Sequence, residues 1–141
     1  MNKAGREVVY NKYGGRCAYC GCTLTDKWQV DHIEPVYRTW KDEDQFKRLI
    51  KKDRGTDDIS NLNPSCPRCN KWKSTFSLEQ FREEISKQVE RLKRDSSAFR
   101  MALDYNLVKE TENKVVFYFE TLPLDMLIYL DFVYERNKTE K

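Results

Sequence analysis

The rhythm of apolar and polar positions changes several times along the chain. Residues 4–13 (AGREVVYNKY) fit a short helix that Gly14-Gly15 stops. Residues 16–35 mix β-prone and turn residues, which predicts a cysteine-bearing knuckle and then a strand near Trp28–Val30 that delivers Asp31 and His32. Over 40–54, Trp40, Phe46, Leu49 and Ile50 line one side of a short charged helix that Gly55 would end. Residues 56–65 are turn-rich and extended, and 66–75 form a second knuckle running into a short helix. The clearest helical period begins at Ser77, where Ser77 and Gln80 make a capping box and Leu78, Phe81, Ile85, Val89 and Leu92 follow on one face. Another short helix is expected over 97–105, and 107–120 reads as a β-hairpin with ETENK as its turn and VVFYF as a β-prone strand. In 122–136, nine of the eleven residues from Leu124 to Tyr134 are apolar or Tyr, which suits a buried helix or a contact surface. That stretch is too short to cross a bilayer.

At 141 residues the chain has room for one modest core, and its 13% aromatic content lets that core bury much area per residue. No run of 18 apolar residues exists, so no membrane partner is expected. The opening MNKAGREVVY lacks the apolar stretch of a signal peptide, which predicts a reducing cytoplasm. There, five cysteines suit metal ligands or free thiols better than disulfides. The net charge of +3 is uneven: residues 1–100 carry 21 Lys/Arg against 15 Asp/Glu, and 101–141 carry 5 against 8. A basic front suits either a nucleic-acid site or a solvated, mildly basic surface.

Two C-x-x-C pairs, Cys17/Cys20 and Cys66/Cys69, carry the strongest chemistry. A two-residue gap lets a tight turn aim both sulfurs at one ion, and four thiolates match a closed structural Zn²⁺ site. The 45 residues between the pairs make this a long-loop variant. The other reading is two unrelated redox pairs, but each pair sits in a knuckle context (CAYCG, CPRCN) and a redox motif needs no twin. Cys22 is read as a spare thiol. In QVDHIEP, His32 is the only histidine; a neutral imidazole can take a proton from water, and the adjacent Asp31 can hold Mg²⁺. Alone, such a dipeptide is equally at home on an ordinary surface. Asn70 follows a thiol ligand directly, and its side-chain carbonyl is a competent Mg²⁺ ligand. Asn61 can hydrogen-bond the loop that carries His32, whereas Asn63, beside Pro64, reads as a turn residue.

The order CAYCG, VDHIEP, DDISNLNPSCPRCNKWKS resembles the zinc-stabilised HNH endonuclease family over residues 13–75. Through residue 120 the chain is similar to the tail of small phage and prophage HNH proteins. The resemblance implies a ββα-metal core braced by a four-cysteine zinc site; with the helix, the β-hairpin and the C-terminal apolar helix read from the residue pattern, the expected fold is α+β. Residues 1–76 would form that core, with the charged insert 40–54, and 77–141 would pack on it. Asp31 and Asn70 match the catalytic Mg²⁺ or Mn²⁺ ligands, His32 the general base, and Asn61 the asparagine that orients the His-bearing loop. Cys17, Cys20, Cys66 and Cys69 match the zinc ligands. The activity implied is hydrolysis of phosphodiester bonds in DNA within a bacterial host cytoplasm. Arg68, Lys71 and Lys73 lie near Asn70 in sequence and are candidates for contacts to flanking phosphates or for ordinary surface charges.

Two segments depart from short members of that family. The insert 40–54 holds six Lys/Arg and four Asp/Glu, and would contact DNA, cover the site, bind a partner or simply be solvated. The segment 122–136 would cap the core, form a homodimer surface or dock on another protein. They keep a second reading open: a catalytically silent HNH-like zinc module that inhibits a bacterial defence nuclease, as anti-CRISPR proteins do.

Overall fold

A computed structural model of the protein describes residues 1–36, 55–123 and 125–126. The insert 40–54, and the segment 122–136 except for 122–123 and 125–126, lie outside the described residues. Helix α1 (Lys3–Asn11) starts where the Asn2 side chain accepts the Gly5 amide at 2.9 Å. It ends in a turn through Gly14 and Gly15, both at positive φ. The helix packs on strand β2 (Leu62–Ser65), and just past its end Lys12 donates to Leu62 O at 3.1 Å and the Tyr13 hydroxyl to Asn63 Oδ1 at 3.1 Å.

Strand β1 (Gln29–His32) pairs antiparallel with β2, with Gln29 opposite Ser65 and His32 opposite Leu62. Pro64 sits opposite Val30 and has no amide to give the sheet. Its carbonyl instead accepts Ala18 N at 2.9 Å, which docks the first knuckle on β2. All four β2 residues are buried. Helix α2 (Pro67–Lys73) follows with proline in its first turn, where the missing N–H is no loss. These three elements, a two-stranded sheet and a helix beside the cysteine cluster, are compatible with the α+β fold expected.

Helix α3 (Leu78–Ser86) begins with the expected capping box: Ser77 N donates to Gln80 Oε1 at 2.9 Å, and Gln80 N to Ser77 Oγ at 3.3 Å. The period read from Leu78 to Leu92 does not form one helix. It breaks at Lys87, and α4 (Gln88–Asp95) sets off afresh with Val89 and Leu92 exposed. Side chains compete with the backbone at the break: Ser86 Oγ donates to Glu83 O at 2.7 Å, and Gln88 Nε2 to Glu84 O at 2.8 Å. Helix α5 (Ser97–Asp104) is capped by Ser96 Oγ, which accepts Phe99 N at 3.1 Å.

The expected hairpin over 107–120 is absent. Residues 108–117 form no strand, and Tyr118–Thr121 make a 3-10 turn. The β-prone stretch docks on the first knuckle instead: Tyr118 N donates to Tyr19 O at 2.9 Å, and Phe119 N to Ala18 O at 3.0 Å. Strand propensity measures fit to a half-buried surface, and here ring burial and knuckle carbonyls supply that fit without a partner strand. Phe117 stacks on Phe81 at 5.5 Å and meets the Tyr19 ring edge-on at 5.3 Å. The core gathers Cys17, Tyr19, Leu24, Cys69, Phe81 and Phe117. Among the described residues, no helix is long and apolar enough to cross a membrane.

Candidate active site and metal centre

Each C-x-x-C pair sits in a tight turn with backbone amides aimed at sulfur. In the first, Gly21 takes positive φ (72°) and packs under Tyr118, where a Cβ would lie 2.9 Å from the ring. Cys66 N donates to Cys17 Sγ at 3.4 Å, and Cys69 N to Cys66 Sγ at 3.4 Å. The four sulfurs of Cys17, Cys20, Cys66 and Cys69 all lie within 4.8 Å of one another. Cys20 and Cys66 stand 3.8 Å apart. Four sulfurs about 2.3 Å from a central zinc would be spaced by about 3.8 Å, so the cluster fits a closed tetrahedral Zn²⁺ site in donor type and size. The Cys17 thiol is pulled down to about 4, first by the hydrogen bond from Cys69 and then by backbone amides against the cost of burial. The same contact pushes the Cys69 thiol up. Cys22 lies outside the four and is exposed; loss of water and the sulfurs of Cys20 and Cys66 push its thiol up to about 12. The exposed Arg68 guanidinium rests on Cys20 sulfur, which holds its proton more tightly.

Beside this cluster, α2 lies along β1. Asn70 and Lys73, three apart on the helix, share a face. Asn70 Nδ2 donates to Gln29 Oε1 at 2.7 Å, and Lys73 Nζ lies 3.1 Å from Asp31 Oδ2. The Tyr19 hydroxyl donates to the same Asp31 oxygen. Asp31 is buried, and burial raises its carboxyl above the ordinary range against the pull of Lys73 and Tyr19. Burial, and then the negative Asp31, push the Tyr19 hydroxyl up as well. The structure corrects the expectation of a phosphate contact at Lys73. The residue is fully buried, and its ammonium donates to His32 O at 2.5 Å. A buried charge needs its partner, and Asp31 fills that role. Lys71 is exposed.

Strand alternation sends His32 away from Asp31. Its Nε2 meets Asp57 Oδ1 at 2.8 Å, and its side chain remains 26% exposed. Asn61 clamps the loop beyond His32: Glu34 N donates to Asn61 Oδ1 at 2.9 Å, and Asn61 Nδ2 donates to Glu34 O at 3.0 Å and Thr56 O at 2.8 Å. Gly55 crosses so closely over this clamp that a Cβ would lie 2.0 Å from Glu34 O. Asn63 is fully buried under Tyr13 and Lys12. Among the described residues, neither Asp31 Oδ1 nor Asn70 Oδ1 accepts a hydrogen bond, while the other terminal atom of each side chain is pinned. Each side chain thus keeps one uncommitted oxygen of the hard type that divalent cations take, with Lys73 as the competing positive charge at Asp31.

Sequence reasoning missed Asp57, Tyr19 and the burial of Lys73. Tyr19 carried one usable signal, since a tyrosine packed between metal ligands must find a partner for its hydroxyl. Asp57 carried none, because its partner lies 25 residues away across the insert.

No curated protein and no solved structure matches the chain. A family model, that of the HNH endonuclease, matches residues 48–76. That stretch includes Asn61, Cys66, Cys69 and Asn70, while Asp31, His32 and the first knuckle precede it. Over residues 48–76 the chain therefore carries the signature of the HNH endonuclease family, the one its motifs resemble.

Proposed function

We propose that the protein is a metal-dependent HNH-type endonuclease that hydrolyses phosphodiester bonds in DNA. The observation that carries this reading is the seating of α2 on β1, which brings Asn70 and Asp31 to one side of the strand that ends in His32. The similarity of the tail to phage and prophage HNH proteins supports a phage or prophage source and action in a bacterial cytoplasm. In this reading residues 1–76 hold the chemistry and 77–141 pack on them.

A phosphodiester is anionic and its 3′-oxygen leaves poorly. His32 takes a proton from a water aligned opposite that oxygen. Asp31 and Asn70 would hold Mg²⁺ or Mn²⁺ through their uncommitted oxygens. Such an ion supplies charge neutralisation at the phosphate and the leaving oxygen. Asn61 fixes the backbone just beyond His32 and so holds the strand end that bears the ring. Lys71 and Arg68 are exposed and suit flanking phosphates. Zn²⁺ on the four thiolates braces the frame and takes no part in the chemistry.

Supercoiled plasmid with Mg²⁺, Mn²⁺ or chelator tests the proposal. The wild type should nick or cut only with a divalent cation, and His32→Ala should lose about 10²–10⁴-fold in rate. Its melting temperature should stay close to wild type, because the ring is partly exposed. A wild type inert under all conditions would contradict it. One observation favours the second reading, a silent zinc module that inhibits a bacterial defence nuclease: the Asp31 carboxylate is already matched by the Lys73 ammonium. That reading holds if wild type and His32→Ala are equally inert and both inhibit such a nuclease.

A further inference from the structure

We infer that Asp57 is a positioning residue for His32, and that it fixes Nδ1 as the nitrogen that takes the proton. The inference rests on the nuclease reading and adds to it the residue that orients its base. His32 Nε2 stands 2.8 Å from Asp57 Oδ1. A carboxylate in that position accepts an N–H, so in the neutral ring the proton resides on Nε2 and the lone pair on Nδ1. When Nδ1 takes a second proton from water, Asp57 lies against the imidazolium that forms. A third group orienting the base is the general pattern of an activated nucleophile.

Asp57 is 65% exposed, so its side chain is not held by packing. Its backbone is held instead. Asn61 Nδ2 bonds Thr56 O at 2.8 Å on one side and Glu34 O at 3.0 Å on the other, and Gly55 N bonds Pro35 O at 3.1 Å. Ile33 N bonds Asn61 O at 2.8 Å, next to His32 itself. The segments bearing the ring and the carboxylate are thus stapled together on both sides of the contact. The neighbouring carboxylate is diverted: Thr56 Oγ1 donates to Asp58 Oδ2 at 2.7 Å. Of two adjacent aspartates, one faces the base and the other closes its own turn.

The test compares Asp57→Asn, Asp57→Ala and Asp58→Asn in full-length, metal-loaded protein. Asp57→Asn should lower kcat for plasmid cleavage by about 10–100-fold with KM and melting temperature little changed, the usual loss when an orienting partner is removed. Asp58→Asn should stay within about twofold of wild type in both constants, the scatter expected of an ordinary surface change. Because His32 is the only histidine, its ring can be followed without assignment by ¹⁵N-resolved NMR. The wild type should show its N–H on Nε2 and a bare Nδ1, with a slowly exchanging N–H signal that is lost in Asp57→Ala and kept in Asp58→Asn. An N–H on Nδ1, or an unimpaired Asp57→Asn beside an active wild type, overturns this inference alone. A wild type that cleaves nothing overturns the nuclease reading and the inference together.

Discussion

Lys73 has no exposed surface, and its Nζ reaches both the Asp31 carboxylate and the His32 carbonyl. Its side chain therefore ties down the end of β1 that carries His32. Lys73→Met should destabilise the protein by about 3–5 kcal/mol in urea unfolding, because it strands a buried carboxylate. A double variant, Lys73→Met with Asp31→Leu, should recover most of that loss; no recovery would mean that packing rather than charge governs the site. At this scale the legible residues were those whose chemistry is local in sequence. Two thiols separated by two residues announce a shared ion, and the motif order names Asn61, Asn70, Asp31 and His32 as candidates whose roles are part of the proposal. The pairings of Lys73 with Asp31 and of His32 with Asp57 join residues far apart in the chain and leave no local trace. Lys73 also looked like every other lysine of a basic stretch, since nothing in its neighbours tells which face of a seven-residue helix will be inward.

Among the elements, those written in hydrogen bonds between close neighbours came through: the Ser77 cap, the Gly14-Gly15 stop and the proline-led α2. Elements that depend on what the chain meets in space did not. The stretch 115–119 has the composition of a strand, but it met the first knuckle, whose carbonyls and rings satisfied it. The helix expected to run from Leu78 to Leu92 is broken by Ser86 and Gln88 taking backbone carbonyls, a choice that apolar spacing cannot register. The docked stretch is held by Arg82, which donates to Val115 O at 2.7 Å, stacks 4.5 Å over the Phe117 ring and pairs with Glu120. The Arg82 hydrogen bond, helped by the Phe117 amide, holds the Glu120 carboxyl below its ordinary value of 4.5 despite partial burial. A lowered folded-state value means that the stabilisation is present above the unfolded range and is lost as pH falls. Glu120→Gln should cost about 1 kcal/mol near neutral pH and progressively less as acid protonates the wild-type carboxyl. Equal costs at neutral and acid pH, measured by thermal unfolding, would show that the charge is immaterial.

The molecule as a whole is joined through Tyr19. Its ring meets Phe81 and Phe117 edge-on, and its hydroxyl donates to Asp31. Flanked by Cys17 and Cys20, it connects the thiol cluster, the aromatic core contributed by the second half of the chain, and the strand that ends in His32. The main cluster of the described core is small: six buried residues, two of them cysteines of the thiol group, with Val9, Tyr13, Ala18 and Leu62 buried outside it. A cluster of that size would lean on an ion held by the four thiols, as small metal-braced domains do. The basic front and the class of chemistry were visible in the amino-acid order, but this dependence was not, because composition does not show how many apolar side chains share one cluster with the ligands.

The most direct test is a stepwise zinc extraction followed in one sample by metal analysis, circular dichroism and plasmid cleavage. The account predicts one zinc per folded chain, with secondary structure and divalent-metal-dependent cleavage lost together as that ion leaves, and regained with zinc but not with magnesium. A zinc-free chain that stays folded and cuts DNA at the original rate would contradict it.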